Sequence, residues 1–426
     1  MKKVGVAILG LGVVGGGTYK ILTDNKEYFK KTQGLDITVE SVLELNKERA
    51  LSLGVPESNI ASSISEVISN PNVDIVVEVI GGVKVAKDFV LKAILSGKSV
   101  VTSNKELVAK YWHELEAEAK KMGVGLYFEA SCVGGVPIIR TLIDGMQANN
   151  ITTLKGIVNG TTNYILTKMT EDGADYDEVL KEAQKLGYAE ANPTADVEGF
   201  DSTYKISILS SIAFNKKVPY EVVSREGITS ITKEDIAYAK DSGYVIKLLA
   251  IAKNSDKGIE VRVNPALIKK SNPLASVNDS FNAVFLHGDS VDDIMLYGRG
   301  AGALPTGSAI VSDVIYAAQH TKCYYAPFKN NATADKTTKF VNDFETKYFI
   351  RLTLENVVGT ISKLTAVFAK NGINLTYIKQ DPDNEGNAKL VLITDLAFES
   401  SVNKSIEKIS SMKEVKSVDS ILRVED

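Results

Sequence analysis

The sequence predicts an α/β protein in three parts: a doubly wound parallel sheet, an α+β domain, and a C-terminal ferredoxin-like module. Three observations support this fold class. The apolar run "VGVAILG" leads directly into a glycine-rich turn near the N-terminus. Short apolar runs then alternate with helical patterns as far as about residue 150, which is typical of βαβ units. Finally, residues 348–426 show the order βαββαβ.

Length and composition restrict the class of protein. A chain of 426 residues is expected to form two or three domains. The formal net charge of -4 argues against a nucleic-acid-binding face, and no apolar run is long enough to cross a membrane. We therefore expect a cytoplasmic protein with no nucleic-acid or membrane partner. Cys132 and Cys323 lie too far apart in the sequence to indicate a zinc or disulfide framework.

The first domain is predicted over residues 1–135, and the segment 297–320 is expected to complete it. The run Val4–Gly10 is apolar at nearly every position, which favours a strand buried on both faces of a parallel sheet. Further strands are expected near 37–43, 74–80, 99–102 and 124–129, and helices near 15–29, 87–96 and 105–122.

The turn after the first strand carries a dinucleotide-binding pattern. Gly10, Gly12 and Gly15 satisfy G-x-G-x-x-G between a predicted strand and a predicted helix. Glycines at these positions permit a tight turn and let a pyrophosphate approach the helix N-terminus. We therefore expect a Rossmann-type domain that binds NAD or NADP, with Val13 and Val14 also at the cofactor.

The end of the second strand bears on the choice of coenzyme. Glu44 at this position can accept a hydrogen bond from a ribose 2′-hydroxyl, which favours NAD. Lys47 and Arg49 can instead bind a 2′-phosphate, and a plain surface charge is a third interpretation of Glu44. The choice between NAD and NADP stays open here, with a slight preference for NAD.

A polar stretch follows the strand expected at 99–102. The sequence "VTSNKELVA" places Thr102, Ser103, Asn104 and Lys105 at the carboxyl edge of the sheet, where open α/β proteins bind ligands. We expect these residues at the cofactor, and Lys105 at the substrate as well. The alternative for Lys105 is a solvated lysine at the start of a helix.

A loop of small residues follows the last strand of the first domain, in "YFEASCVGGVP". One carboxylate, Glu129, and a series of backbone carbonyls are the oxygen ligands that hard cations prefer. The same residues also suit an ordinary tight turn, so the residues alone leave both interpretations open.

The second domain, residues 136–296, contains the stretch "GYAEANPTADVEGFDSTYKI", in which four carboxylates precede one lysine. On a helix over Phe200–Phe214, Asp201 and Lys205 share a stripe with Ile208 and Ile212. We therefore expect this pair to face a cleft, with Lys205 transferring a proton and the acids binding a cationic substrate group. A surface ion pair is the alternative.

Residues 321–347 are rich in Lys, Asn and Thr and are predicted to be a linker. No catalytic motif lies beyond them, so we expect the unit 348–426 to be removable from a folded enzyme.

The loop that contains Asn356 and Gly359 precedes a helix N-terminus, which favours a ligand carboxylate. Asn374 is assigned to the same ligand.

Several motifs together carry a family resemblance: Gly10–Gly15, "TSNKEL", "FEASCVGGVP", "NGTTNYIL", "GYAEANPTADVEGFD" and Lys205. Over essentially the whole chain they resemble homoserine dehydrogenase, in the monofunctional form with a C-terminal ACT regulatory domain. The resemblance implies reversible hydride transfer between NAD(P)H and L-aspartate 4-semialdehyde, giving L-homoserine in threonine and methionine biosynthesis.

The resemblance also implies roles for individual residues. Lys205 resembles the family's proton donor, and Asp201 and Glu190 resemble residues that bind and orient the amino acid. Lys105 corresponds to a lysine close to the nicotinamide and the substrate, and Gly302 to a late glycine-rich loop that returns to the cofactor.

A cation site, an effector and an oligomer are implied in the same way. Glu129, with the carbonyls of Cys132, Gly134 and Val136, matches the family's monovalent-cation loop, usually for sodium. The second domain corresponds to the substrate-binding and dimerisation domain, so a homodimer or homotetramer is expected. Threonine is the effector that pathway logic suggests for the ACT domain, although a module used only for assembly is the alternative.

One departure from the family bears on the coenzyme. Leu43 stands where many relatives carry an arginine that meets the NADP phosphate, which puts a preference for NADP in doubt.

Two other functions are compatible with the fold: another NAD(P)-dependent amino acid semialdehyde reductase, and a non-catalytic sensor of NAD(P) and an amino acid.

Overall fold

A computed structural model describes residues 1–320 and 338–425. Within these residues, the first domain is built on six parallel strands in the order β3-β2-β1-β4-β5-β6, which is the strand order of dinucleotide-binding domains. The strands are β1 (Lys2–Leu9), β2 (Leu35–Leu43), β3 (Ile60–Ala61), β4 (Ile75–Glu78), β5 (Ser99–Thr102) and β6 (Leu126–Tyr127). Strand β1 pairs with β2 on one side and β4 on the other, which explains its unbroken apolar run.

Helices cover both faces of this sheet. They are α1 (Val13–Asp24), α2 (Lys26–Gln33), α3 (Lys47–Ser52), α4 (Ile64–Ser69), α5 (Lys84–Leu95) and α6 (Lys105–Met122). The single helix expected near 15–29 is two helices, because the chain leaves helical geometry at Asn25 and a new helix runs on to Gly34, which has a φ of 68°. The strand expected at 124–129 is confined to two residues.

The second domain combines helices with a mainly antiparallel sheet. Its helices are α7 (Ile138–Arg140), α8 (Gly160–Asp172), α9 (Tyr176–Lys185), α10 (Thr194–Val197), α11 (Phe200–Ala213) and α12 (Lys233–Asp241). Its strands are β7 (Ile151–Ile157), β8 (Ser224–Arg225), β9 (Tyr244–Ser255), β10 (Gly258–Lys269), β11 (Phe281–Gly288) and β12 (Asp292–Arg299). Among these strands, only the two-residue β8 pairs in parallel, with β10. The helix expected over Phe200–Phe214 is present one residue shorter.

The chain then returns to the first domain through α13 (Ala303–Gln319), which packs against α1 and β5. The returning segment starts later than the predicted residue 297, since the residues up to Arg299 belong to β12 and pair with β11 in the second sheet.

The C-terminal module contains β13 (Glu345–Glu355), α14 (Thr360–Lys370), β14 (Leu375–Pro382), β15 (Asn387–Thr394), β16 (Ala397–Phe398), α15 (Glu399–Ser410) and β17 (Val415–Glu425). This order is the predicted βαββαβ with the two-residue strand β16 added. Apolar side chains of α14 and of strands β13 and β15 form its core, with Leu364, Phe368 and Leu392 fully buried. The module begins at Glu345, three residues before the predicted boundary.

The C-terminal sheet is continuous with the sheet of the second domain. Strand β17 pairs in parallel with β10, through Arg423–Glu425 and Ala266–Ile268. The combined order is β12-β11-β7-β9-β10-β17-β13-β15-β14. Of the predicted linker, residues 321–337, including Cys323, lie outside the described residues, whereas Phe340 already bridges to Ile259 of β10. The predicted domain boundaries otherwise stay a prediction.

No helix in the described ranges has the length and apolar character needed to cross a membrane.

Candidate active site

A cavity of about 630 Å³ lies between the carboxyl edge of the first sheet and the second domain. Segments distant in sequence line it, including the turn after β5, the loop after Glu129, the starts of α8 and α11, and the loop that leads into α13. Residues from the sequence analysis that line the cavity are Val14, Ser103, Lys105, Gly134, Asp201, Lys205 and Gly302.

Asp201 and Lys205 form a buried ion pair on α11. The Lys205 ammonium donates to Asp201 Oδ2 at 2.6 Å and to the Val158 carbonyl at 2.7 Å. Asp201 is 4% exposed and Lys205 is 9% exposed, so this is not a solvated surface pair. An ammonium has three donors, and two of those of Lys205 have protein partners. The third can therefore serve a ligand in the cavity.

Lys105 approaches the same carboxylate from the first domain. Its ammonium lies 3.0 Å from Asp201 Oδ1, and its side chain is 44% exposed. Lys105 is the first residue of α6, and the N-cap residue Asn104 accepts from the Leu107 N–H. The two domains thus place one lysine on each oxygen of Asp201.

Asn159 is a member of this site that the sequence analysis did not assign. It caps α8 by accepting from the Thr162 N–H at 2.9 Å, and its amide donates to Asp196 at 2.7 Å and to Asp201 at 2.9 Å. The motif "NGTTNYIL" contained the signal, because an Asn before a helix is a common N-cap. Its second use, as a donor to two acids, depends on tertiary contacts.

The acids of the cavity differ in their titration. Burial raises the pKa of Asp201, but the charges of Lys205 and Lys105 outweigh burial and hold that pKa below its usual range. Burial, followed by the charge of Asp201, raises the pKa of Asp196. The charge of Asp201 also raises the pKa of Lys105. Asp201 is therefore a fixed anion between two cations.

The glycine turn fits a dinucleotide. A Cβ on Gly15 would lie 2.0 Å from the Gly10 carbonyl, so only glycine allows this approach of helix to strand. A Cβ on Gly12 would meet nothing within 4 Å, which leaves open space at the start of α1. No side chain caps the N-terminus of α1. Free backbone N–H groups with open space in front of them suit a pyrophosphate.

Glu44 lies at this turn rather than at a remote surface. Its carboxylate accepts from the Leu11 N–H at 2.6 Å and from the Asn46 N–H at 2.9 Å. Arg49 reaches the same place, since its Nε donates to the Leu11 carbonyl. Glu44 and Arg49, the anion and the cation relevant to coenzyme choice, therefore both contact the backbone of Leu11 in the glycine turn.

Thr102 and Asn104 shape the end of β5. Thr102 donates to the buried carboxylate of Glu78 at 2.6 Å and accepts from the Asn104 N–H at 3.0 Å. The Asn104 side chain donates to the Gly82 carbonyl at 2.6 Å. Ser103 and Lys105 line the cavity. The side chains of Thr102 and Asn104 instead form hydrogen bonds to Glu78 and Gly82 of the first domain.

The carboxylate of Glu129 is engaged by backbone. It accepts from the Ile139 N–H at 2.9 Å and the Arg140 N–H at 2.6 Å, while the Glu129 N–H donates to Asp313. Each carboxylate oxygen still has a further lone pair. Among the described side chains, no group of three or more His, Cys, Asp or Glu could hold a metal, so a cation here would depend chiefly on backbone carbonyls.

The loop after Glu129 has an unusual backbone. Val133 has a φ of 57°, which is strained for a β-branched residue, and Gly134 follows with a φ of 49°. Gly134 lines the cavity, whereas Cys132 and Val136 are buried behind it. Burial raises the pKa of the Cys132 thiol to about 12, so this cysteine is not a thiolate nucleophile.

Glu190 and the predicted effector residues lie outside the cavity wall. Glu190 is exposed, but its charge helps to raise the pKa of Lys105, so it lies within electrostatic reach. In the C-terminal module, Asn356 accepts from Gln380 at 3.1 Å, Gly359 precedes α14, and the Asn374 carbonyl accepts from the Asp395 N–H.

Comparisons with known proteins agree with this geometry. A family model described as homoserine dehydrogenase matches residues 137–315, and one described as its NAD-binding domain matches residues 10–129. The homoserine dehydrogenase of Bacillus subtilis is 40% identical to this chain over 433 residues, which cover 100% of this chain and 99% of the relative. This chain belongs to the homoserine dehydrogenase family.

Two solved structures agree with the family assignment. A homoserine dehydrogenase from Thiobacillus denitrificans superposes with a TM-score of 0.94 at 40% identity, covering 100% of this chain and 99% of its own. A hyperthermophilic archaeal homoserine dehydrogenase in complex with NADPH matches with a TM-score of 0.64 at 28% identity, over 74% of this chain and 98% of its own. An ACT-domain model matches residues 348–414. The predicted family, the three-part fold and the class of NAD(P)-dependent oxidoreductase acting on a CH–OH group are confirmed.

Proposed function

We propose that this homoserine dehydrogenase protonates and deprotonates the substrate oxygen through Lys205, with Asp201 and Lys105 as its electrostatic partners. The observation that supports this assignment is the position of the Asp201 carboxylate between two ammonium groups, 2.6 Å from Lys205 and 3.0 Å from Lys105. Reduction of L-aspartate 4-semialdehyde leaves an alkoxide that must gain a proton, and oxidation of L-homoserine requires its loss.

The nicotinamide, when bound, supplies or accepts the hydride. We assign the cofactor to the first domain: Gly10, Gly12, Val13, Val14 and Gly15 hold the pyrophosphate at the start of α1. Thr102, Ser103, Asn104 and Gly302 complete this site beside the cavity.

Around the substrate, each lysine has a distinct task. Lys205 is held by two acceptors and has one N–H left for the substrate oxygen, whereas Lys105 is more exposed and fits a role in binding. The substrate ammonium is bound by Glu190, with Asp196 available close by. Asp201 orients both lysines and stays ionised between them, because their charges hold its pKa below its usual range.

The direct test is a spectrophotometric assay of homoserine oxidation with purified protein. Turnover of homoserine with NAD or NADP supports the assignment of this cavity. No turnover with either coenzyme, while both ligands bind, would favour a non-catalytic sensor. Turnover of a different amino acid alcohol only would favour another semialdehyde reductase.

For the coenzyme, we propose a preference for NAD. Leu43 supplies no cation for a 2′-phosphate, and Glu44 adds negative charge at the glycine turn. The test is the ratio of kcat/KM for the two coenzymes, with Leu43→Arg as the variant expected to shift it toward NADP. A strong NADP preference in the unmodified protein would contradict this proposal and would mean that Lys47, Arg49 or another cation binds the phosphate.

For the cation, we propose sodium at the loop after Glu129, bound by Glu129 and by the carbonyls of Cys132, Gly134 and Val136. The strained φ of Val133 supports this, since strained backbone is concentrated at functional sites such as ligand clamps. A rise in melting temperature with sodium but not with a bulky organic cation supports the proposal, and equal responses would contradict it.

For regulation and assembly, we propose a cytoplasmic homodimer or homotetramer that threonine inhibits through the ACT domain. Light scattering of the purified protein measures the assembly directly. We assign threonine to a site that includes Asn356, Gly359 and Asn374. Substitution of Asn374 tests this assignment.

A further inference from the structure

Asn282 on β11 is a buried amide without hydrogen-bond partners. The residue is 1% exposed, and neither its Oδ1 nor its Nδ2 has a partner among the described residues. Leaving such a group unpaired is unfavourable, and buried polar groups in native proteins are nearly always satisfied. An unpaired buried amide beside a ligand cavity therefore calls for an explanation.

The amide of Asn282 lies directly behind the wall of the active-site cavity. A Cβ on Gly300 would come 1.9 Å from Asn282 Oδ1 and 2.7 Å from Nδ2, and a Cβ on Gly160 would come 3.5 Å from Oδ1. Gly160 and Gly300 both line the cavity. Only glycine at position 300 lets the backbone of the wall approach the amide so closely, whereas the contact at Gly160 is an ordinary van der Waals distance.

The wall segment is held from its other side as well. A Cβ on Gly134 would lie 2.3 Å from the Gly300 carbonyl, and the Gly135 N–H donates to the Arg299 carbonyl at 3.0 Å. Gly300 is thus enclosed between the loop after Glu129 and the amide of Asn282. The backbone of the Arg299–Gly302 loop therefore lies directly against this amide.

Asn163, a second buried asparagine, provides a comparison, because the hydrogen bonds of its amide are satisfied by the protein itself. Asn163 on α8 is also 1% exposed, but its Nδ2 donates to the carbonyls of Val277, Asp279 and Phe281 at 2.9–3.1 Å. Its Oδ1 accepts from the ammonium of Lys247 at 3.2 Å. The contrast indicates that the amide of Asn282 does not serve to hold the ligand-free fold together.

We propose that Asn282 is a positioning residue for the dehydrogenase reaction, whose amide hydrogen bonds to the Arg299–Gly302 loop when homoserine occupies the cavity. Through this contact it sets the wall at the substrate end, beside Gly160 and the neighbouring Asn159. The hydrogen bonds form in the substrate complex, so they contribute to substrate binding and not to the stability of the ligand-free protein.

The test is Asn282→Leu, which keeps the shape of the side chain and removes the amide, with Asn163→Leu as the matched control. We expect Asn282→Leu to unfold at the same urea concentration as the unmodified protein or at a higher one, since no formed hydrogen bond is removed. The homoserine KM at saturating coenzyme should rise about three- to tenfold, as for loss of one neutral hydrogen bond, with kcat little changed. Asn163→Leu should lower the unfolding midpoint clearly.

Two outcomes would overturn the proposal. A loss of stability in Asn282→Leu similar to that of Asn163→Leu would show that the amide is already satisfied in the ligand-free protein, for example by a buried water. An unchanged homoserine KM, with or without a change in coenzyme binding, would show that the amide takes no part in substrate positioning.

Discussion

The guanidinium of Arg262 donates to the carboxylate of Glu425, and this buried pair joins the second domain to the C-terminal module. Arg262 is 1% exposed and Glu425 is 4% exposed. Lys155 of β7 adds a second cation at 3.3 Å from Glu425. Since Glu425 lies on β17, which pairs with β10, the ion pair and the continuous sheet act at the same junction.

We expect Glu425→Gln to destabilise the protein, because it removes one of the two carboxylates that pair with the buried Arg262 and leaves only Glu260, 2.8 Å from the Arg262 Nε. Removing one partner of an isolated buried pair costs about 3–5 kcal/mol, and the remaining carboxylate of Glu260 should keep the loss near or below the lower end of that range. The measurement is the urea midpoint of unfolding, with Glu407→Gln, an exposed residue of α15, as the control. A midpoint equal to that of the control would show that the pair contributes nothing.

The same pair predicts a pH dependence. Burial raises the pKa of Glu425, but Arg262 and the nearby lysines outweigh it and lower that pKa to about 2 in the folded protein. An unfolded glutamate titrates near pH ~4.3. The contribution is therefore fully present above about pH 5 and is lost as the pH falls toward 2. The stability difference between Glu425→Gln and the unmodified protein should shrink over this interval; a constant difference would contradict the account.

The sequence predicted the order of the helices and strands, but not the junction between the second domain and the C-terminal module. The periodicity of each segment predicts its helices and strands, and "VGVAILG" even predicts that β1 is central. The pairing of β17 with β10 joins residues far apart in sequence, and no local pattern indicates it. Truncation would expose the edge of β10 and remove Glu425 from Arg262, so residues 348–426 can be removed only if the second domain tolerates both changes.

The same limit applies to the active site. The spacing of Asp201 and Lys205 predicts that they share a helix face, and the structure shows them paired. The arrival of Lys105 at the same carboxylate depends on how two domains pack. The partners of Asn159 and the isolation of Asn282 likewise depend on tertiary contacts, which composition and periodicity do not contain.

Glu190→Gln should raise the homoserine KM and leave kcat nearly unchanged. Its charge acts on Lys105 of the cavity, and the proposed charge-assisted contact to the substrate ammonium is worth about 1.5–3 kcal/mol, or roughly ten- to a hundredfold in KM. Glu178→Gln, an exposed acid on α9, is the control and should change nothing. An unchanged KM in Glu190→Gln would remove Glu190 from the substrate site.

Asn374→Ala should weaken threonine inhibition without changing uninhibited turnover. Asn374 is exposed and distant from the cavity, so its effect can reach the reaction only through the balance of two domain arrangements. Asn403→Ala, on the exposed side of α15, is the control. Threonine inhibition that is identical in both variants and competitive with homoserine would place threonine at the catalytic cavity.

The most direct measurement of the catalytic assignment is the turnover of Lys205→Ala at saturating homoserine and coenzyme. Lys98→Ala is the control, because Lys98 is also a buried lysine that donates to backbone carbonyls, at the far edge of the first sheet. Losing a placed proton donor lowers the rate by about 10²–10⁴. We predict that loss for Lys205→Ala with coenzyme binding nearly intact, and near-normal turnover for folded Lys98→Ala. Turnover of Lys205→Ala within about threefold of the unmodified enzyme would contradict the account.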